Sequence, residues 1–454
     1  MKITKIATAV VEANFQWTYV RVYSDATCGL YGTGECFFAP GLTAIVAEFA
    51  GILVGEDPRD VERLVEKMRW AASGAGSLAG VIWNAISGIE AALWDLKGKA
   101  LGVPVYQLLG GKFRREIRLY LDCHAAGALE ALSPLLQPRT PAWDCTAPRA
   151  GLMRDEIIAA SAERARQMAK EGWSALKFDL DLPGSTFDAA EGYTLGGRDI
   201  DWMVRLVKSI RAAVGDEADL IFDAHWRYRP AEILPVMKQV ESARLLWLED
   251  PLPPHDYDGL AHLRRHTITP VGTGENLQLR SGFWELLARD LVDVVAPDFQ
   301  KAGGLAEARK IADLAALRNK SVAPHMIGSP LALLASCHVA AAIPNFLVCE
   351  FHAYDVPFWF ELAQNTADWF QPGRVTLPYR PGLGAELDEK VGRRYALPGS
   401  RWFDDRGDSP GSAPAHAAEL AAVNHDASDR RDMPHSHTER RDSARSASDM
   451  NPVL

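Results

Sequence analysis

Three acidic residues close short apolar runs and are evenly spaced along the chain: Asp223 in "DLIFD", Glu249 in "RLLWLE" and Glu275 in "PVGTGE". Each run is followed by a helical stretch, so the interval is one strand-helix unit. Neighbouring strands of a barrel would bring the three carboxylates around one point. Crowded carboxylates repel unless one is protonated or a cation lies between them. A hard divalent ion with oxygen ligands and vacant positions resolves the conflict, and Mg²⁺ suits it. Any one of the three, taken alone, is as readily a surface or capping carboxylate; the evenly spaced trio is not.

Proton carriers stand on neighbouring runs. Lys177 and Asp179 are two apart in "SALKFD", on one side of a strand. His325 ends "SVAPH" and Asp298 ends "DVVAPD". Adjacent strands would pair them, the carboxylate fixing the imidazole tautomer and raising its basicity. His225 stands two beyond Asp223, and along an extended strand both would face one space. Glu350 ends "FLVCE". A lone histidine at a strand end is more often structural than catalytic, and His124, His255, His338 and His352 are placed in that class.

These residues need a scaffold that gathers strand ends. Eight apolar runs, at 117–122, 174–179, 219–223, 244–249, 270–275, 293–298, 321–325 and 346–350, alternate with helical segments. Eight parallel βα units close a barrel, whose active sites are built where the strands end. An open doubly wound sheet gives the same alternation, but it does not need a polar residue on nearly every strand tip. Residues 1–115 read instead as an α+β domain. There "TYVRVYSDATCGLYGTGECFF" forms a hairpin with glycine-bearing turns, and helices follow from Leu42, Pro58 and Ser77. In the third helix Ile82, Ile86, Ile89, Ala92 and Leu93 recur at helical spacing, and Gly102-Val103-Pro104 stops it.

Bulk composition limits the rest. A chain of 454 residues exceeds one ordinary core, and 48% hydrophobic with 24% charged residues is globular. A formal charge of −10 gives no electrostatic case for nucleic acid or an anionic membrane. The six cysteines form no CxxC pair, which argues against thiolate zinc and a disulfide framework. "KITKIATAV" after Met1 is too short and polar for a signal peptide, so a cytoplasmic location is expected. The apolar reach from Met326 is broken by Gly328, Pro330, His338 and Pro344, and reads as a buried helix and strand, not a membrane span.

Taken in order, the motifs resemble the enolase superfamily in its mandelate-racemase-like branch, over residues 1 to 402. They are "SGIEAALWDLKGKALGVPVYQLLGG", K-x-D at Lys177, D-x-H at Asp223, "LEDPLPP" with Glu249 and "GTGEN" with Glu275. "PDFQKAGGLAEARKIADLA" with Asp298, "APH" with His325 and "PGLGAELDEKVGRRY" follow. The resemblance implies a capping domain (1–115) on a (β/α)₇β barrel (116–370), with a segment (371–402) returning to the cap. It also implies one Mg²⁺ on Asp223, Glu249 and Glu275, and removal of the proton α to a carboxylate to give an enediolate. Racemases of the branch are similar in having K-x-K where this chain has Asp179, so no second lysine base stands there. The D-x-H is similar instead to sugar-acid dehydratases of the galactonate and mannonate kinds, although the galactonate kind has Asn in place of Asp179.

The expected activity is therefore dehydration of an aldonic or aldaric acid. His325 backed by Asp298 is the base, His225 the acid to the leaving hydroxyl, and Lys177 and Glu350 the carboxylate contacts. Exchange of roles between the two histidines is open. A racemase, epimerase or cycloisomerase would use the same residues, and a non-catalytic binding protein would have no need of them. Asp179 and Trp17 are further candidates for substrate contact. Substrate choice is expected to lie in the loops near Asn14, Phe15 and Trp17, around Phe38, and in the long segment after the first barrel strand. The expected partners are a small acid sugar and copies of the same chain.

From Phe403 onward the sequence is polar, charged and almost free of aromatics, and cannot bury enough surface to offset ordering. Deleting residues from Asp404 onward is expected to leave turnover and the thermal midpoint unchanged. A truncated chain that loses either would show that the segment docks.

Overall fold

A computed structural model of the chain describes residues 1–27, 29–123, 154–180 and 194–403. The expected tail, the segment after the first barrel strand and His124 lie outside these residues.

The N-terminal part is an antiparallel sheet of β1 (Ile3–Glu12), β2 (Gln16–Ser24) and β3 (Tyr31–Cys36), in that order. Helices α1 (Leu42–Leu53), α2 (Val61–Ala71) and α3 (Val81–Leu101) follow. The third begins at Val81, later than Ser77, because Ser77 serves another purpose: its carbonyl accepts from Trp83 Nε1 at 2.9 Å. It ends where Gly102 turns left-handed at φ 71. Two glycines of the hairpin stretch lie within β3 itself. A Cβ on Gly32 would sit 2.1 Å from the Ala92 carbonyl oxygen, and one on Gly34 2.3 Å from that of Gly88. They let α3 lie directly on the sheet.

After the short α4 (Val105–Leu108), strands and helices alternate. The strands are β4 (Glu116–Asp122), β5 (Ala175–Asp179), β6 (Asp219–Asp223), β7 (Trp247–Glu249), β8 (Val271–Thr273), β9 (Val294–Val295), β10 (Ser321–Val322) and β11 (Cys349–Phe351). Between them run α5 (Arg154–Lys170), α6 (Gly197–Val214), α7 (Pro230–Gln239), α8 (Tyr257–His266), α9 (Leu279–Ala288), α10 (Leu305–Leu317) and α11 (Pro330–Ala342). Strands β4 to β10 pair in parallel in chain order, and β11 pairs in parallel with β4. Leu347 N–H donates to Val322 O at 2.9 Å and Glu350 N–H to Pro324 O at 3.0 Å, so the last strand also joins β10 and the ring closes. The apolar reach from Met326 forms α11, buried at every position. Among the described residues no helix is long and apolar enough to cross a membrane.

The barrel interior is filled by Tyr120, Ala175, Ile221, Trp247, Val294, Ala323 and Val348. Gly272 leaves room for the Trp247 indole, which would lie 2.4 Å from a Cβ there. Two residues further along six of these seven strands, on the same face, come Asp122, Lys177, Asp223, Glu249, His325 and Glu350. Apolar filling thus gives way to a charged layer at the C-terminal mouth.

Cap and barrel are joined by buried polar contacts. Glu90 of α3 accepts from the Leu305 and Ala306 N–H groups at 2.8 and 3.0 Å, and from Trp94 Nε1 at 2.6 Å. It thereby caps α10, a barrel helix, from the other domain. Burial pushes its carboxyl up to about 7, against the pull of those donors. Glu35 of β3 likewise accepts from Gln300 Nε2 at 3.0 Å and Ser329 N at 3.2 Å. After a hairpin of β12 (Phe370–Gln371) and β13 (Arg374–Thr376) beside β4, the chain passes through α12 (Glu389–Arg394). It then returns to β1, with Leu397 N–H donating to Val10 O at 2.9 Å.

His338 in α11 is wholly buried. Its Nδ1 accepts from the Tyr106 N–H and its Nε2–H donates to Leu383 O, both at 3.1 Å, so the ring is neutral. Burial, only partly opposed by the Leu383 carbonyl, pushes its pKa down to about 4. Between that value and the ordinary 6.5 only the unfolded chain takes up the proton, so stability present above 6.5 is lost as pH falls through this window. Urea unfolding at pH 7 and pH 5 should show the native chain losing about 2 kcal/mol more than His338→Gln over that interval. Equal losses would contradict the assignment.

Candidate active site

The carboxylates predicted to converge do so. Asp223, Glu249 and Glu275 each offer an oxygen within 4.8 Å of the others, and all three are buried. Asp223 and Glu249 are brought level by strand register. Glu275 arrives differently, since β8 ends at Thr273 and Gly274 at φ 138 redirects the chain. That angle favours glycine, which explains the residue before Glu275 in "GTGE".

Each carboxylate is held from behind. Asp223 accepts from the His225 N–H at 2.8 Å, Glu249 from Trp247 Nε1 at 3.1 Å and Glu275 from Asn276 Nδ2 at 2.8 Å. Glu249 Oε1 is buried and has no hydrogen-bond partner among the described residues. Burial, and then the neighbouring Asp223 and Glu350 against the pull of Lys177, hold the Glu249 carboxyl well above the usual range. Asp223 is pushed up by burial too, but His225 and Lys177 outweigh this and hold it low. A buried, unpartnered acceptor within an acidic trio is the donor set a hard divalent cation takes.

Lys177 lies at the centre of the charged layer. Its Nζ is 2.5 Å from Glu350 Oε1, 3.3 Å from Asp223 Oδ2, 3.8 Å from Asp122 Oδ2 and 3.9 Å from Glu249 Oε2. Burial alone would lower its pKa, but Glu249 and Glu350 lead the carboxylates that raise it, so the ammonium stays charged. Asp179 ends β5 in register with Asp223 and is half-buried.

The two histidines lie beside different members of the trio, His225 beside Asp223 and His325 beside Glu275. His325 Nδ1–H donates to Asp298 Oδ2 at 2.7 Å, while its Nε2 lies 3.2 Å from Glu275 and 3.7 Å from Glu350. Asp298 is itself fixed by the Gln300 N–H at 2.7 Å. Burial pushes the imidazole down, but Glu275, Glu350 and Asp298 together raise it to about 9. His225 Nε2 lies 3.7 Å from Asp223 Oδ2. It does not continue the strand as the i, i+2 argument assumed, for β6 stops at Asp223 and both His225 (φ 44) and Trp226 (φ 48) are left-handed. The turn, not the pleat, brings the ring back over Asp223.

Trp17 is buried, edge-on to Phe358 with ring centroids 6.4 Å apart. Phe15, Phe37 and Phe38 approach the mouth, Phe15 stacking on Phe38 at 4.1 Å and Phe37 lying 5.9 Å from His325. Sequence reasoning missed Asp122 and left His352 among structural histidines, yet both reach the charged layer. The D at the end of "IRLYLD" was the available signal.

A cap over a parallel barrel whose strand ends gather an acidic trio, a lysine and an Asp-His pair defines an enolase-type enzyme. The chain matches the mandelate racemase / muconate lactonizing enzyme N-terminal domain over residues 3–110 and the enolase C-terminal domain-like model over 160–391. It belongs to that family. It is 39% identical over 405 residues, 89% of this chain and 91% of its relative, to D-xylonate dehydratase of Haloferax volcanii. It is 28% identical to D-galactarolactone cycloisomerase of Agrobacterium fabrum, over 88% of this chain and all of that one. The crystal structure of a mandelate racemase/muconate lactonizing enzyme-like protein from Rubrobacter xylanophilus superposes with a TM-score of 0.77 at 40% identity, covering 88% and 99% of the two chains.

Proposed function

We propose that this chain is a Mg²⁺-dependent dehydratase of an acid sugar, converting a 2,3-dihydroxy acid to a 2-keto-3-deoxy acid and water. The observation that carries this reading is the pair of imidazoles, one beside Asp223 and one beside Glu275 of the buried carboxylate trio. Elimination needs a base at C2 and an acid at C3.

Asp223, Glu249 and Glu275 would hold Mg²⁺, which when bound supplies positive charge for the negative charge that develops on the substrate acid. Lys177 and Glu350 contact the substrate carboxylate. Asp298 holds the Nδ1–H of His325 and with it the tautomer, and a cation on Glu275 and its neighbours would offset the carboxylate charge that raises the imidazole, so that Nε2 takes the C2 proton. The C3–O bond breaks with a proton delivered by His225, so that hydroxide departs as water. The enol left behind becomes the ketone by taking a proton at C3.

The reading is supported by relatives named dehydratases of xylonate, galactonate and mannonate. A cycloisomerase would use the same trio and histidines without losing water, and one such relative is similar in sequence. Incubating aldonic and aldaric acids with the protein and Mg²⁺ in D₂O separates the readings. A 2-keto-3-deoxy acid is the expected product. Solvent exchange with inversion, or ring closure or opening without loss of water, would replace the dehydratase reading, and no reaction across the panel would refute it.

A further inference from the structure

Asp122 ends β4 in register with Lys177, two residues beyond Tyr120 of the barrel interior, so it faces the mouth. It is 5% exposed. Its Oδ2 lies 3.8 Å from Lys177 Nζ and 3.7 Å from His352 Nε2, both beyond hydrogen-bond length. Its Oδ1 is buried with no hydrogen-bond partner among the described residues. An unmet carboxylate oxygen in such a place is costly and rare.

His352, just past β11, faces Asp122 with a defined tautomer. Asn14 in the turn between β1 and β2 accepts from the Phe15 N–H through Oδ1 at 3.0 Å, which fixes its amide orientation. Its Nδ2 then donates to His352 Nδ1 at 2.9 Å. The ring proton therefore sits on Nε2, the atom toward Asp122. Phe15, 5.7 Å from the His352 ring, forms an apolar wall with Phe38.

We infer that Asp122 and His352, with Asn14 as the positioning residue, form a subsite for hydroxyls of the substrate chain outside the reacting C2 and C3. A hydroxyl both donates and accepts; a carboxylate acceptor and an imidazole N–H donor set apart beside an aromatic wall match it. The identity of the ligand rests on the acid-sugar reading above.

The test is binding, not turnover. The Mg²⁺-loaded protein is titrated calorimetrically with a panel of 3-deoxypentonates and 3-deoxyhexonates, which keep the chain hydroxyls but lack the one that leaves. Lactate, with no hydroxyl beyond C2, is the control. The native protein should bind at least one 3-deoxyaldonate about 10- to 100-fold more tightly than lactate. Asp122→Asn and His352→Ala should each lose most of that margin, with lactate affinity held within about threefold and partial rescue in His352→Gln. Charge cannot mimic this, because removing a carboxylate favours every anionic ligand. Native protein that holds lactate as tightly as every 3-deoxyaldonate, or binds none, overturns the subsite. So does Asp122→Asn weakening both classes alike, which would make Asp122 a counter-ion for Lys177. A margin found in a protein that dehydrates no acid sugar would refute the dehydratase and leave the subsite standing.

Discussion

Glu249→Gln is expected to abolish turnover while leaving the metal-free protein at least as stable as the native chain. The two effects have one cause. Glu249 is wholly buried beside Asp223 and Lys177, with Oε2 held by Trp247 and Oε1 without a partner among the described residues. Glutamine keeps the shape and removes the charge. The trio then loses a ligand, and with it the main counter-charge to the developing enediolate, a loss of at least about 10³-fold in kcat. Without metal the same change removes a carboxyl that burial first, and then Asp223 and Glu350, penalise in its charged form. Steady-state assays at saturating Mg²⁺, with melting curves in chelator, check both arms. Near-normal turnover of the variant in chelator would remove the site.

The second large effect separates the two histidines. With His225→Asn, product formation should fall by about 10²–10⁴-fold, the usual worth of a general acid. Exchange of the C2 proton with solvent deuterium should persist, because His325 and Asp298 are untouched and the enediolate can return to substrate. His325→Asn should stop both. Exchange that survives without His325 and disappears without His225 would reverse the roles. Little change in His225→Asn would make the left-handed turn after β6 a structural feature only.

Much of this was legible in the chain because strand ends in a barrel must carry the chemistry. The runs ending at Asp223, Glu249, His325 and Glu350 give position through alternation alone, each two residues beyond an interior side chain. Alternation failed where the backbone leaves the strand. His225 reaches its place through positive φ, which no period-2 rule anticipates. The need for glycine at positions 32 and 34 was not legible, because the demand for space comes from α3, far along the chain. Asp122 was overlooked because its meaning depends on His352, contributed by the last strand of the ring.

The carboxylate of Glu90 closing the first turn of α10 bears on how the molecule comes apart. A helix of one domain that depends on the other for its N-terminal hydrogen bonds cannot keep that turn once the two separate. Leu305 and Ala306 should therefore exchange their amide protons only when the whole molecule opens. Cap and barrel should melt in a single cooperative transition. A cap that swung away from the barrel would have to break the bonds from Leu305 and Ala306 to Glu90.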